Sequence, residues 1–535
     1  ILALPDLFVV TYKGDPIRRS DMWARAPAAE VSEGYEFAFT AGIVTSLALL
    51  EISFGLLSLI RPRKLRTPSR VFPVIAGNLC AFLLVTAVGL SSFSSIDLEQ
   101  ALDFGFDRWQ PITTYVSQGF LTSFTEMVNE LPIEKPAGYT SDEAQDIERE
   151  LAAAYDSTYG SSEQRAAAVA QFNEIKPTIV AVMNESFSDL SCFEQLQAAG
   201  YTGPAFYNSL PDTLVRGTML ASVAGGGTAN SEFEFLTGAT TAFVGVGKIP
   251  YQLYQMNDVS SLAKDLKELG YTATAMHPQN PVNYHRDKIY QQLGFGDFLS
   301  IADFEGAPYY HAGVCDYATY DKILDLLRTD DAPQFIFDVT MQNHGGYDVG
   351  TVPAEELTNY WVEGASEGAN SALNTYLTCI NASDRDLEYF INELRNIGRP
   401  VVLVFFGDHQ PSAATTLNDE LYPQEDTASH AFRIHQSTYF VWANYEIAGN
   451  TELNVYDTVG ANEIAAITLN KIGAPLTDYQ KALLATRSDV PTINVAGYLG
   501  ADGLRYDLES EDSPYASTID KLQRMQYLEF ASKVQ

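Results

Sequence analysis

Two kinds of hydrophobic pattern divide the chain. Residues 37–60, FAFTAGIVTSLALLEISFGLLSLI, and 71–93, VFPVIAGNLCAFLLVTAVGLSSF, are nearly unbroken runs of apolar or small side chains. At ~1.5 Å per helical residue, each can cross roughly 30 Å of hydrocarbon. Glu51 and Asn78 also fit a pair of buried core helices. The connection RPRKLRTPSR favours membrane spans, because Arg61, Arg63, Lys64, Arg66 and Arg70 mark a cytoplasmic loop over 61–70. On that orientation residues 1–36 and everything after Phe93 lie outside the cytoplasm. The chain opens without a methionine on ILALPDLFVV, which reads as the end of an upstream membrane helix, so the expected anchor is multi-pass.

Beyond the spans the texture changes twice. Residues 94–175 read as a juxtamembrane helical connector, with an amphipathic stretch from Trp109 to Val128 and a polar helix over SDEAQDIERELAAAY at 141–155. From residue 176 short apolar runs alternate with helical patterns: TIVAVM (178–183), TATAM (272–276), QFIFDVTM (334–341), VVLVFF (401–406) and TYFVWA (438–443). Such alternation predicts an α/β fold, a largely parallel sheet flanked by helices, over a domain spanning 176–535. Ligand sites in such folds lie beyond the C-terminal ends of the strands.

Composition narrows the function classes. Of 535 residues, 68 are acidic and 33 are Lys or Arg, a formal charge of −35 that repels nucleic acid in the absence of a basic patch. The long C-terminal part has no such patch, so no nucleic-acid partner is expected. Four cysteines (Cys80, Cys192, Cys315, Cys379) are too sparse and too scattered for a disulfide scaffold or a structural zinc site.

The residues just after the strand runs are more informative. TIVAVM leads into Asn184, Glu185 and Ser186; TATAM into His277; QFIFDVTM into Gln342, Asn343 and His344; VVLVFF into Gly407, Asp408 and His409. Four strands delivering carboxylates and imidazoles to one rim predict a metal and anion site. A fifth element, ASVAGGGTANSEFEFLTG at 221–238, places Thr228 after three glycines and before a helical run. Taken alone, Thr228 reads as a helix N-cap, in competition with Asn230 and Ser231. Beside a divalent cation its hydroxyl instead reads as a nucleophile.

Five stretches in this order, Asn184-Glu185-Ser186, GGGTANSEFEFLTG, MHPQNPVNYHRDKIYQQLGF, MQNHGGY and FGDHQP, resemble the extracellular catalytic domain of lipoteichoic acid synthases, a sulfatase-like branch of the alkaline phosphatase superfamily. The resemblance covers about 175–500. It implies that Glu185, Thr228, Asp408 and His409 bind one divalent metal, Mn²⁺ by family with Mg²⁺ or Zn²⁺ as alternatives, and that Thr228 is also the nucleophile. It implies further that Arg286 and His344 grip the phosphate and that His277, Gln279 and Tyr284 face the head group. Gly227, Tyr284 and Gln279 stand where some synthases carry a lysine, a tryptophan and an acidic residue. The activity implied is transfer of glycerol phosphate from phosphatidylglycerol to a glycerophosphate polymer, glycolipid or polysaccharide, at the outer face of a bacterial cell membrane. The rivals are a phosphoethanolamine transferase, another sulfatase-like ester hydrolase, and a non-catalytic membrane sensor. A sulfatase proper needs a Cys/Ser-x-Pro-x-Arg pattern, and none of the four cysteines starts one.

Overall fold

The structure, a computed structural model, describes Gly119, Ser123 and residues 132–534. The apolar runs 37–60 and 71–93, the loop 61–70 and nearly all of the stretch from Trp109 to Val128 lie outside the described residues. Among the described residues no helix is long and apolar enough to cross a membrane. The chain divides into two compact units, Ile1–Pro132 and Ile133–Gln535, and the second carries the fold.

Its strands are β1 (Thr178–Asn184), β2 (Thr213–Leu220), β3 (Thr272–Met276), β4 (Asp297–Leu299), β5 (Tyr309–Tyr310), β6 (Gly313–Val314), β7 (Gln334–Val339), β8 (Val401–Gly407), β9 (Gln436–Ala443), β10 (Val455–Gly460), β11 (Thr492–Asn494), β12 (Gly497–Leu499) and β13 (Arg505–Tyr506). Eight of them form one sheet in the order β10-β2-β9-β8-β1-β7-β3-β4. The pairings are parallel except for those of β9, which runs against both β2 and β8. The α/β class expected from the alternating pattern is therefore what forms. TYFVWA is a strand as expected, but it is the antiparallel one.

The central strands are uniformly apolar because both faces are covered. Along β1, Ile179, Ala181 and Met183 enter one hydrophobic cluster while Val180 and Val182 enter the other. The first cluster is closed by the helix Thr228–Thr237 through Ala229, Phe233, Phe235 and Leu236. The second is closed by the helices Asp316–Thr329 and Glu367–Arg395. Each fully buried Val, Leu, Ile or Phe contributes roughly 1.5–3 kcal/mol relative to exposure, so this two-sided core dominates the stability of the sheet.

The polar stretch at 141–155 folds as the helix Ser141–Ser157, started by Thr140, whose hydroxyl accepts from the Glu143 amide at 3.3 Å. It packs within the same unit as the sheet: Arg524 pairs with Glu143 at 3.3 Å, and Lys481 with Asp156 at 2.9 Å. The C-terminal residues add the small β11-β12-β13 sheet and a third cluster around Tyr498 and Met525.

Strand register is what aligns the chemistry. Asn184 at the end of β1 pairs with Gly407 at the end of β8, and Met183 pairs with Val339 of β7. The residues one step further, Glu185, Thr340 and Asp408, therefore emerge side by side. Gly407 is required for that closeness, because a Cβ there would stand 1.7 Å from the Phe187 carbonyl oxygen and 2.7 Å from Ser437 Oγ. Both obstacles are held, since Ser437 donates to the Gly407 carbonyl at 2.8 Å and to the Phe187 carbonyl at 3.2 Å. Gly407→Ala is expected to destabilise the protein by about 3 kcal/mol, at the upper end of overpacking costs. A urea melt showing an unchanged midpoint would refute this.

Candidate metal and nucleophile site

Glu185, Asp408 and His409 are buried and bring one ligand atom each within 4.8 Å of the others. Neighbouring donors, two backbone amides for Asp408 and the Ser186 hydroxyl for Glu185, fix one oxygen of each carboxylate. Asp408 Oδ1 accepts from the Ser186 amide at 2.7 Å and from the His409 amide at 2.9 Å. Glu185 Oε1 accepts from Ser186 Oγ at 2.8 Å, and the Glu185 amide is held by Thr340 Oγ1 at 3.1 Å. The His409 ring is oriented by its Nδ1, which donates to the Gln410 carbonyl at 2.9 Å. Its Nε2 then carries the lone pair, 3.1 Å from Asp408 Oδ2 and 3.9 Å from Glu185 Oε1.

Two of these atoms, Asp408 Oδ2 and His409 Nε2, are buried without a hydrogen-bond partner. Buried polar groups are normally satisfied. A lone pair and a carboxylate oxygen converging on one point, with no donor between them, fit a divalent cation rather than a proton network. Burial, and next the charge of Glu185, push the Asp408 carboxyl above its ordinary range. A divalent cation held by these residues would reverse that sign, because it would become the largest local charge.

Thr228 reaches the same point from the other side. It is the first residue of the helix Thr228–Thr237, and the N-cap is Gly227 in the left-handed region at φ 92°, where a side chain would be strained. Thr228 is therefore not the cap, and neither are Asn230 and Ser231. Its hydroxyl instead donates to Glu185 Oε2 at 3.3 Å. Asn230 Nδ2 donates to the Lys248 carbonyl at 2.8 Å, and Ser231 Oγ donates to the Asp408 carbonyl at 2.6 Å, which clamps the helix to the end of β8.

The anion-facing residues divide. Arg286 opens the helix Arg286–Gln292; it is 2% exposed and paired with Glu232, which is wholly buried. Burial alone would lower the Arg286 pKa, and the Glu232 carboxylate more than offsets this and holds it above its usual value. The Tyr284 ring lies 5.0 Å from the guanidinium carbon, and its hydroxyl pKa, raised by burial, responds also to Glu185 and Asp408. His277 is buried after β3, and its Nδ1 donates to the Val339 carbonyl at 2.9 Å. Burial first, then Arg286 and His344, lower its pKa well below the usual value, so the ring is neutral and offers Nε2 as an acceptor. His344 is exposed on the loop after β7, where its carbonyl accepts from His311 Nε2 at 3.1 Å. Gln279 is turned to its own loop, its Oε1 accepting from the Asn280 amide at 2.9 Å.

The amides expected at the rim do other work. Asn184, Gln342 and Asn343 point into a buried network: Asn184 Nδ2 to Asp316 Oδ2 at 2.8 Å, Asn343 Nδ2 to Asn184 Oδ1 at 3.0 Å, and Gln342 Nε2 to Ser383 Oγ at 3.0 Å. This holds the two rim loops to the helices behind them. Glu232 was missed by the sequence reading. The signal available was its position one helical turn after Thr228, on the same helical face.

The sulfatase family model matches residues 177–464. A putative cyclic β-1,2-glucan modification protein of Rhizobium meliloti is 27% identical over 343 residues, covering 63% of this chain and 50% of that protein. The capsular polysaccharide biosynthesis protein RkpI of the same organism is 26% identical over 245 residues, covering 45% of this chain and 42% of that protein. The chain spans about half the length of the curated relatives it matches. The phosphoglycerol transferase GacH of Streptococcus pyogenes, solved in complex with sn-glycerol-1-phosphate, superposes with a TM-score of 0.57 at 22% identity, covering 74% of this chain and 95% of that one. That likeness is one of fold. Because the family match spans more than half of the chain and runs over the strands and helices that carry Glu185, Thr228, Asp408 and His409, the chain belongs to the sulfatase family.

Proposed function

We propose that this chain is a metal-dependent phosphoester transferase that moves glycerol phosphate from phosphatidylglycerol to a saccharide of the cell envelope, through a covalent intermediate on Thr228. One observation carries the reading: a threonine hydroxyl, at a helix N-terminus and 3.3 Å from Glu185, shares a buried pocket with the orphaned atoms of Asp408 and His409. The reading takes the donor from the resemblance in the motifs and from the ligand of GacH, and the acceptor from the glucan and capsule functions named for the relatives. The membrane anchor at 37–93 and an extracytoplasmic catalytic domain belong to the same proposal.

Glu185, Thr228, Asp408 and His409 would hold the cation, which supplies positive charge to acidify the threonine hydroxyl and to offset the phosphoryl oxygens. Two carboxylates, a hydroxyl and one imidazole suit Mn²⁺ or Mg²⁺. The Thr228 oxygen attacks phosphorus, the bond from phosphorus to the diacylglycerol oxygen breaks, and glycerophosphoryl-threonine remains. His344, on the exposed rim loop, delivers a proton to the departing alkoxide. An acceptor hydroxyl then gives its proton to His344 and attacks the same phosphorus, and the bond from phosphorus to the Thr228 oxygen breaks, which frees Thr228. Arg286 meets the phosphoryl charge throughout, so the protein's part is positional and electrostatic.

The test incubates the full chain with fluorescent phosphatidylglycerol, Mn²⁺ and a β-glucan acceptor. Diacylglycerol and a glucan carrying glycerol phosphate are the expected products. Turnover of phosphatidylethanolamine in place of phosphatidylglycerol would replace the donor, and no phosphoester turnover with either lipid would overturn the proposal.

A further inference from the structure

We propose that Glu232 is a positioning residue for phosphoryl recognition: it fastens the Arg286 guanidinium to the helix that carries Thr228, so that nucleophile and anion-binding fork are held as one body. The inference rests on the roles given above to Thr228 and Arg286. Glu232 lies four residues after Thr228 in the helix Thr228–Thr237, so the two side chains stand one above the other on one helical face. Arg286 arrives from a different element, the start of the helix Arg286–Gln292.

The pairing is specific in its atoms. Arg286 Nε donates to Glu232 Oε1 at 2.9 Å, and Nη2 donates to the same oxygen. The second carboxylate oxygen, Oε2, accepts from the Tyr290 hydroxyl at 2.7 Å. Glu232 thus spends both oxygens on the helix Arg286–Gln292. A guanidinium has five N–H donors. With Nε and one Nη2 hydrogen committed to a single oxygen, the end formed by Nη1 and the other Nη2 hydrogen is left as a second fork for a phosphoryl group.

The approach to Arg286 shows why such a fastening is needed. Tyr284 and His285, neither a glycine, both occupy the left-handed region, at φ 55° and 59°. Backbone held there costs free energy and persists only where the surroundings fix it. Backbone hydrogen bonds from His285 to Val282 and from Asp287 to Pro281, both 2.9 Å, close the turn locally, and the Arg286–Glu232 pair ties it to the helix of Thr228, with the Tyr284 ring 5.0 Å from the guanidinium carbon. Without Glu232 the fork loses this tie to the helix of Thr228, and with it its alignment to the nucleophile.

The experiment is a double-mutant cycle on the full chain with Glu232→Gln, Arg286→Gln and the pair together, read by kcat and KM on phosphatidylglycerol. Calorimetric binding of inorganic phosphate, metal content and circular dichroism are measured on the same proteins. Glu232→Gln is expected to keep its fold and metal, to bind phosphate more weakly, and to lose about 100-fold in kcat/KM, the scale of a small misplacement of a reacting group. In the Arg286→Gln background the same change should alter kcat/KM by less than about threefold, because Glu232 then has nothing to hold. Effects that multiply in the double variant would overturn the inference, as would wild-type phosphate binding by Glu232→Gln. A wild-type chain inert toward phosphatidylglycerol would count against the donor instead, and the phosphate-binding arm would still decide the role of Glu232. If Glu232→Gln does not fold, Glu232→Asp keeps the charge and withdraws the carboxylate by one methylene; unchanged kinetics in that variant would overturn the inference equally.

Discussion

Thr228→Ala is expected to leave a folded protein that retains metal through Glu185, Asp408 and His409 yet releases no diacylglycerol from phosphatidylglycerol. The structure separates the two roles open to this residue. A threonine N-cap is worth ~0.5–2 kcal/mol, but here the cap position belongs to Gly227, and the Thr228 hydroxyl is directed at Glu185. Alanine therefore removes no cap, and thermal stability should fall only slightly. Turnover should drop by a factor on the order of 10⁴ or more, as when other covalent nucleophiles are deleted. Mass spectrometry of wild-type protein incubated without acceptor should show a glycerophosphoryl adduct on the peptide containing Thr228, absent from the variant. Serine should keep a fraction of the activity, since it retains the hydroxyl and loses the methyl group that restricts its rotamer. Diacylglycerol release by the alanine variant near the wild-type rate would remove the covalent route altogether.

The second large effect concerns the cation. Chelation should bring turnover to background and Mn²⁺ should restore it, while Asp408→Asn should weaken metal binding by at least about 100-fold, beyond the usual cost of disturbing residues that merely support a ligand. An amide neither balances a divalent charge nor matches a carboxylate as a ligand. A readout independent of activity is available. Metal at about 100 times its Kd should stabilise the wild-type protein by about 2.7 kcal/mol, seen as an upward shift of the melting temperature. Asp408→Asn should lose that shift. A variant whose melting temperature still climbs with Mn²⁺ as in the wild type would place the metal elsewhere.

Much of this site was legible in the sequence because parallel strands fix where their next residue emerges. Once TIVAVM and VVLVFF are read as adjacent strands, Glu185 and Asp408 must share a rim, and they do. The strands that escaped notice had other reasons to look unlike strands. β2 carries Arg216 and Gly217 in its middle, and β10 is a polar edge strand with Tyr456 70% exposed. Side-chain direction was the part the sequence could not supply. Asn184 ends β1 just before Glu185, and Gln342 and Asn343 follow β7 just before His344, yet all three turn into a buried amide network. Glu232 stands on the helical face of Thr228, but the sequence offers no sign that its partner is Arg286, which lies 54 positions further along the chain.

The pairing of β1 with β8 also dictates an order of assembly. Ser186 and Asp408, whose hydrogen bond sets the carboxylate, are 222 positions apart in the chain. Glu185 and Thr228 are made early, but the strand that brings Asp408 and His409 beside them begins only at Val401. Contacts across so long a loop form late, because the entropy of closing it precedes any reward from the contact. A chain that stops before Val401 thus holds half of a metal site and an unpaired edge along β1, the central strand. Metal uptake by this protein is accordingly a late event in its folding, and a released fragment of it should be neither metallated nor soluble.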